Sequence, residues 1–186
     1  MAVQALDTSL ESLMGRYAAG DEVAFHHFYG EVAPRLRRFF LQGGTPRAAA
    51  DELLQQTFLR LHVARGRYHP GEPVLPWLFT IAYRVRVDYW RRTAVRAETF
   101  LDPEEEGRLA ADPPDMEHPV SDLLRTAVAQ LPEAQREVVT LHKFQGLKLS
   151  EVAEVVGSSE GAVKLRAHRA YAALKKILEP MLENLS

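Results

Sequence analysis

The chain has 186 residues, which allows one large domain or two small ones. It contains no cysteine, so disulfides, cysteine-based zinc sites and a thiol nucleophile are excluded. The net charge is −2, but residues 1–96 carry 13 basic and 9 acidic side chains, residues 97–122 carry 1 and 9, and residues 123–186 carry 9 and 7. Two mildly basic blocks therefore flank an acidic segment. Such asymmetry is a reason to consider a nucleic-acid partner, although a solvated linker would look the same.

The chain shows no targeting or membrane signal. Its first residues lack a basic start followed by an apolar run. No stretch approaches the roughly 18 consecutive apolar residues that a membrane-spanning helix needs. We therefore expect a cytoplasmic protein that does not insert into a membrane.

The first block is predicted to be helical. Apolar residues recur at steps of three and four over residues 21–41 and again over 47–64, which is the spacing of one helix face. The apolar positions are Phe25, Phe28, Val32, Leu36, Phe39 and Phe40 in the first helix and Leu53, Leu54, Phe58 and Leu61 in the second. Gly43 and Gly44 separate the two. Pro76 suits the first turn of a third helix, which is expected to run to about Arg92.

This third helix, from Trp77 to Arg92, carries two apolar faces. Leu78, Ile81, Ala82, Val85 and Tyr89 form one face and are predicted core. The other face holds Phe79, Tyr83, Arg86 and Trp90, with Arg84 and Arg91 beside it. Rings interleaved with arginines suit single-stranded DNA, because bases stack on the rings while guanidinium groups hold the backbone. The alternative is a helix buried on both faces, with rings that belong to the core.

An acidic, proline-containing segment follows at residues 97–120. Its prolines are Pro103, Pro113, Pro114 and Pro119. Because proline removes a backbone donor and fixes φ, a continuous helix is not expected here. Low hydrophobicity and like charge predict a flexible linker between two domains.

The last block is predicted to contain four more helices and no strand. They span about 121–130, 133–145, Ser150–Val156 and Ser159–Leu178. Ser150 is the expected N-cap of the third, Gly157 its left-handed C-terminal cap, and Pro180 the stop of the fourth. The short Gly157-Ser158 connection predicts a helix-turn-helix.

The second helix of that motif has two opposite faces. At about 100° per residue, Lys164, Leu165, His168, Arg169 and Lys175 fall on one side. Val163, Ala167, Ala170, Leu174 and Ile177 fall on the other. A basic face over an apolar one is what a DNA-recognition helix needs. An ordinary amphipathic surface helix has the same pattern.

Three segments together resemble one known family. AADELLQQTFLRLH and PWLFTIAYRVRVDYWRR resemble region 2 of the extracytoplasmic-function (ECF) group of sigma-70 factors. LPEAQREVVTLHKFQGLKLSEVAEVVGSSEGAVKLRAHRAYAAL resembles region 4 of the same group. The resemblance covers about residues 10–96 and 121–178. It implies an all-α protein with region 2 in residues 1–96, an acidic linker in 97–120 and region 4 in 121–186.

The resemblance also implies the site residues and partners. Region 2 would dock on the β′ clamp of core RNA polymerase through Asp51, Glu52, Leu54, Gln55 and Phe58. It would capture and melt the −10 element through Arg67, Tyr68, His69, Trp77, Tyr83, Arg84, Arg86, Trp90, Arg91 and Arg92. Region 4 would recognise the −35 element through Lys164, Leu165, Arg166, His168 and Arg169. The expected partners are core polymerase (β′ clamp and β subunit), promoter DNA and an anti-sigma factor of the kind that is often membrane-anchored.

Two positions depart from the family pattern. The family commonly has Asn where this chain has Arg84, which predicts an atypical −10 preference. It commonly has Ser where this chain has Leu165, whose apolar side chain can contact a thymine methyl group. The resemblance also implies that the linker passes through the active-site cleft and RNA exit path of the polymerase, where its carboxylates would mimic RNA. The alternative is a solubilising spacer.

Two other classes of function remain as alternatives. For an enzyme, the seven histidines are scattered without metal-ligand spacing, and no glycine-rich phosphate loop is present. We therefore predict no catalytic residue, no metal and no cofactor. A helix-turn-helix regulator that acts without being a polymerase subunit would bind duplex promoter DNA alone, whereas a sigma factor would need core polymerase.

Overall fold

The computed structural model of the protein describes residues 9–99 and 119–183. Within these ranges the chain is helical and contains no strand, which confirms the all-α prediction for this part. The helices are α1 (Leu10–Ala18), α2 (Glu22–Gln42), α3 (Arg47–Ala64), α4 (Val74–Thr99), α5 (Pro119–Ala129), α6 (Glu133–Val139), α7 (Leu149–Val156) and α8 (Glu160–Glu183). A 3₁₀ turn (Arg65–Arg67) follows α3, and a π-helical turn (Thr140–Phe144) continues α6.

The ends of α7 and α8 differ in part from the prediction. The N-cap of α7 is Lys148 and not Ser150, because the Glu151 carboxylate accepts a 2.7 Å hydrogen bond from the Lys148 N–H and starts the helix two residues earlier. Gly157 closes α7 in the left-handed conformation, with φ 64° and ψ 42°, as predicted. Pro180 does not stop α8, which continues to Glu183. The side chain of Pro180 is exposed, so solvent can replace the backbone bond that a proline cannot donate.

The first four helices bury one apolar core. Phe28, Val32, Leu36, Phe39 and Phe40 of α2 are fully buried, as their spacing predicts, whereas Phe25 is only partly covered. Leu53, Leu54, Phe58 and Leu61 of α3 and Leu78, Ala82 and Val85 of α4 complete the centre. Helix α1, which is not among the helices predicted from the sequence, contributes Leu13, Met14 and Tyr17.

The last four helices form a second layer that packs against the first. Helix α8 buries Val163, Ala167, Ala170 and Leu174 against α5, α6 and α7. Helix α7 in turn lies on α4, and the two layers share a continuous cluster of buried side chains. We call the contact of α4 with helices α6 and α7 of the second layer the seam. It makes α4 an internal helix with neighbours on two sides.

The segment predicted as a linker falls mostly outside the described residues. Helix α4 continues to Thr99 and α5 begins at Pro119, so both ends of the predicted 97–120 segment are helical. None of the helices in the described part of the chain is long and apolar enough to cross a membrane.

Candidate nucleic-acid interface

The helix-turn-helix is held by its own backbone and by one serine cap. Ser158 N–H donates to Ala153 O at 2.9 Å, which is the bond expected after a left-handed glycine at the end of a helix. Ser159 caps α8, because its Oγ accepts from the Ala162 N–H at 3.2 Å. These bonds fix the direction in which α8 leaves α7 and so determine which face of α8 reaches solvent.

The outer face of α8 is basic and exposed, as the helical spacing predicts. Lys164, Leu165, His168 and Arg169 are exposed, whereas Arg166 is half-buried beside the core. Leu165 keeps 50% of its surface in solvent. Glu160, one turn before, forms a 2.8 Å ion pair with Lys164. The face therefore presents basic groups and one apolar side chain, together with an acid at its edge.

The C-terminal half of α4 presents a second basic surface. The Asp88 carboxylate accepts from Arg60 of α3 at 2.9 Å and from Arg91 at 3.1 Å. Arg92 donates to the Asp88 backbone carbonyl. Trp90 lies among these arginines, half-exposed, with its ring edge-on to Tyr89 at 5.2 Å. The Asp88 carboxylate thus holds two guanidinium groups and its backbone carbonyl holds a third, on the part of α4 that carries the half-exposed indole.

The loop between α3 and α4 forms a separate aromatic corner. Tyr68 is buried, stacks near Trp77 at 5.5 Å and donates its hydroxyl to Glu72 O at 2.6 Å. Burial, with the charges of Glu11 and Glu72, raises the pKa of Tyr68, so it remains a neutral hydroxyl. Arg67 and His69 on either side are exposed. The corner fixes the loop and leaves its two basic side chains free for a ligand.

The middle of α4 is covered by the seam. Phe79 is fully buried, edge-on to Phe39, and Arg86 is only 3% exposed. Arg86 donates to a Glu137 carboxylate oxygen at 2.7 Å, and Tyr83 beside it is half-buried. In this stretch the second face of α4 is packed, which is the alternative that the sequence left open. Arg84 points outward and is exposed. The predicted −10 residues therefore differ in exposure: those of the loop at Arg67 and His69 and of the C-terminal half of α4 are accessible, whereas Arg86 is covered and Tyr83 partly so.

Burial opposes the charges of the seam pair. It lowers the pKa of the Arg86 guanidinium, although Glu137 works in the opposite direction. It raises the pKa of the Glu137 carboxyl, with Arg86 opposing. The pKa of Tyr83 is raised by burial and by the nearby Glu137 carboxylate. Because each partner loses solvation on docking, the pair matches the two layers to one another more than it stabilises them.

Helix α3 carries the residues predicted to contact polymerase. Asp51, Glu52 and Gln55 are exposed, with Asp51 accepting from Arg37 at 2.9 Å and Glu52 accepting from Gln56 at 2.7 Å. Leu54 and Phe58 are buried in the bundle, so they support the helix from inside in this conformation. The two groups therefore differ in exposure, and only the polar three are accessible.

Sequence reasoning missed two exposed apolar residues on the same helix. Leu59 is 66% exposed and Val63 78% exposed, and both continue the row that runs from Gln55 at steps of four. The signal was present, because each is an apolar residue that lies off the periodic core face. Exposed apolar side chains in a row on one helix mark a contact surface more often than an isolated one does. Among the described residues, no three His, Asp or Glu are grouped so that they could hold a metal ion.

The comparisons with known proteins assign both halves of the chain. The family model for Sigma-70 region 2 matches residues 28–96, and the model for Sigma-70 region 4 matches residues 121–174. RNA polymerase sigma factor CarQ of Myxococcus xanthus is 36% identical over 166 residues, which are 89% of this chain and 95% of CarQ. ECF RNA polymerase sigma factor SigF of Caulobacter vibrioides is 34% identical over 90% of this chain and 93% of its own. The chain belongs to the ECF group of the sigma-70 family.

Solved structures agree on the fold of this sigma factor. CnrH, solved in complex with the cytosolic domain of CnrY, superposes with a TM-score of 0.66 at 28% identity, over 91% of this chain and 97% of that chain. The sigma factor RpoE of Bartonella quintana, solved with the anti-sigma factor NepR, gives 0.69 at 24% identity, over 83% and 96%, and supports the fold alone. The region 2 match runs from within α2 to α4, and the region 4 match runs from α5 to most of α8. Sigma factors are non-catalytic initiation factors, so the chain is not an enzyme, and this assignment is favoured over a stand-alone helix-turn-helix regulator.

Proposed function

We propose that this sigma factor binds core RNA polymerase through α3 and directs it to promoters whose −10 element is recognised by α4 and whose −35 element is recognised by α8. The observation that carries the proposal is the outer face of α8, which is basic and exposed over a fully buried apolar face, in the same chain as the accessible α3 row. A stand-alone regulator needs the first feature and has no use for the second.

The −35 contact is proposed for the face made by Lys164, Leu165, His168 and Arg169, with Arg166 at its edge. A helix that projects from a short turn can enter the major groove, where side chains of its first turns reach base edges. Cations toward the sides of the face would meet phosphates, which set position without carrying sequence information. The exposed Leu165 side chain is suited to a thymine methyl group.

The −10 contact is proposed for two accessible clusters and one covered cluster. Trp90 with Arg91 and Arg92 forms the first, because an accessible indole flanked by guanidinium groups can stack on an unpaired base. The loop residues Arg67 and His69 form the second, with Tyr68 and Trp77 as its support. Tyr83 and Arg86 form the third and become available only when the seam opens. Arg84, exposed beside them, is the position at which the family usually has Asn.

Polymerase contact is proposed for the row Asp51, Glu52 and Gln55 on α3, extended by Leu59 and Val63. A mixed polar and apolar row matches the composition of protein interfaces, in which an apolar centre is bordered by polar groups. Leu54 and Phe58 would act from within the bundle by holding this helix straight. The β′ clamp is the partner that the family resemblance implies.

An anti-sigma factor is proposed as the second protein partner, and the cytoplasm as the place of action, since core polymerase and the chromosome are there. The support is the solved complex of the sigma factor CnrH with the cytosolic domain of CnrY, because CnrH matches this chain over most of both lengths. The acidic residues 100–118 lie outside the described part of the chain. Their proposed roles, RNA mimicry or spacing, stay as predicted from the sequence.

Run-off transcription with purified core polymerase tests the function. Adding this protein should produce transcripts with defined starts that core polymerase alone does not make, from promoters mapped genome-wide. Arg169→Glu should abolish them, whereas Lys176→Glu reverses the charge of an exposed residue far along the same helix and should leave them intact. If the pure protein binds duplex promoter equally well with and without core polymerase, the regulator alternative is favoured.

A further inference from the structure

Arg86 lies in a closed cradle at the seam. Its guanidinium carbon is 4.4 Å from the centre of the Phe39 ring and 5.5 Å from that of Tyr83, so one face of the group is against aromatic rings. One nitrogen donates to Glu137 at 2.7 Å, and the Glu137 side chain is itself only 13% exposed. The pair joins residues 51 positions apart, one in each layer. With region 4 in this position, no external ligand can reach the guanidinium.

Gly43 at the end of α2 closes the other side of the cradle. Its backbone, with φ −78° and ψ 7°, is one that any residue adopts, so glycine is not needed there for conformation. It is needed for space, because a Cβ built on Gly43 would overlap the Arg86 Nη1. A side chain at residue 43 would therefore displace the Arg86 guanidinium from this position.

Some buried polar atoms of the seam near this pair have no hydrogen-bond partner in the protein. A cavity of about 10 Å³, room for roughly one water molecule, is lined by Gly43, Arg86, Glu133, Arg136, Glu137 and Thr140. Three buried atoms of its lining have no protein partner, namely Arg86 Nη1, Arg136 Nε and Thr140 Oγ1. Buried polar atoms without partners weaken an interface, in contrast to the apolar core of region 2. These atoms make the seam weaker than it would be if all its polar groups had partners.

We infer that Glu137 is an internal competitor of nucleic acid for Arg86, so that docking of region 4 on α4 and binding of DNA by the Tyr83–Arg86 face exclude one another. A carboxylate and a phosphate offer a guanidinium the same pair of oxygens. In the docked state Glu137 takes that place and Tyr83 is half-covered. In the undocked state Glu137 moves away with region 4, so its carboxylate no longer occupies the Arg86 donors. The identity of the ligand rests on the proposed function, whereas the closure itself does not.

Glu137→Gln and Gly43→Ala test the closure from opposite sides. The first keeps the volume of Glu137 but leaves Arg86 buried without its counter-ion. The second changes neither charged residue and places a methyl group in the cradle. Gly30→Ala is the matched control, because it adds the same methyl group to the same helix where nothing lies within 4 Å.

The readout is the distance between the layers in the full chain. The protein has no cysteine of its own, so His27→Cys and Lys176→Cys, both exposed, give one dye site in each layer for fluorescence energy transfer. Each variant should raise the open fraction by about tenfold or more, which corresponds to about 1.4 kcal/mol. The control should match wild type. Thermal unfolding of each variant shows that the protein is still folded.

Binding of a fluorescent single-stranded oligodeoxynucleotide of mixed sequence to the same full-length proteins gives the second readout. Its affinity should rise in both variants by the factor by which the open fraction rises. Unchanged energy transfer in the folded variants would show that the Arg86–Glu137 pair does not hold the two layers together. Lower energy transfer with no gain in oligonucleotide affinity overturns the competition, because the uncovered face then does not bind nucleic acid. Failure of the proposed function is separate, since it appears as absent run-off transcription whatever the transfer measurement gives.

Discussion

Glu160 stands at the edge of the face that is proposed to meet the −35 element, and its removal should strengthen binding. Its carboxylate pairs with Lys164 at 2.8 Å, with 50% of the glutamate side chain and 62% of the lysine side chain in solvent. An exposed pair at this spacing is worth only about 0.3–0.5 kcal/mol. For Lys164 to hold a phosphate, that pair must open and the carboxylate must approach a polyanion. Glu160→Gln removes both costs.

The expected gain is small and measurable. Opening the ion pair and the carboxylate–phosphate repulsion, both screened at an exposed site, together should amount to less than about 1 kcal/mol, or roughly twofold to fivefold in affinity. The gain should shrink as salt rises. The substitution also removes an acid from the first turn of α8, where it favours the helix by about 0.3–1 kcal/mol, so the melting temperature should fall slightly while affinity rises.

The assay is the affinity of reconstituted holoenzyme for a −35-containing duplex at two salt concentrations. Glu179→Gln is the control, because Glu179 pairs with Lys175 at 3.7 Å with the same spacing on the same helix, roughly 28 Å further along its axis. Equal gains for the two variants would mean that only the net charge matters. A loss of affinity for Glu160→Gln would show that the carboxylate itself contacts DNA, for instance a cytosine amino group.

Three further predictions concern the other surfaces. Asp51→Arg combined with Gln55→Ala should weaken binding to core polymerase at least tenfold without lowering the melting temperature, since both side chains are exposed; undiminished co-purification with core polymerase would remove α3 from the interface. Trp90→Ala should reduce transcription from duplex promoters more than from pre-melted ones, because stacking on an unpaired base is worth about 1–3 kcal/mol; equal losses would assign the ring to structure. Leu165→Ser should reorder a panel of −35 variants by about 1–3 kcal/mol, whereas Arg169→Ala should weaken all of them and lower the salt slope by about one; the reverse result would exchange their roles.

The parts of the fold that the sequence predicts are those in which a local pattern decides the outcome. Phe28, Val32 and Leu36 recur at helical spacing and are buried together, and the left-handed Gly157 ends α7 where a glycine is expected. The N-cap of α7 was misplaced because a carboxylate one position later, on Glu151, satisfied an earlier amide. Helix α1 was missed because nine residues give too few turns for a convincing apolar period.

The candidate site was predicted less completely, because part of it depends on contacts between distant segments. Exposure of Lys164 and Arg169 follows from the spacing within one helix. Burial of Arg86 follows from Glu137, and no pattern around Arg86 announces a partner in the other layer. Arginine is almost never fully buried unless it is paired, so the sequence favoured exposure until the pairing was known. The assignment of the individual −10 and polymerase contacts stays a prediction.

The structural role of α4 and its proposed role in DNA binding place different demands on its two faces. Its inner face must stay in the region 2 core, where Leu78, Ala82 and Val85 are fully buried among apolar side chains. Its other face is proposed to meet nucleic acid during initiation, so the layer that covers this face has to be able to separate from it. A buried ion pair is costly to desolvate and costly to break by substitution, yet both of its members are hydrated again when the layers separate. Closing that face through Arg86 and Glu137 therefore keeps the two layers in one register while leaving region 2 folded when they part.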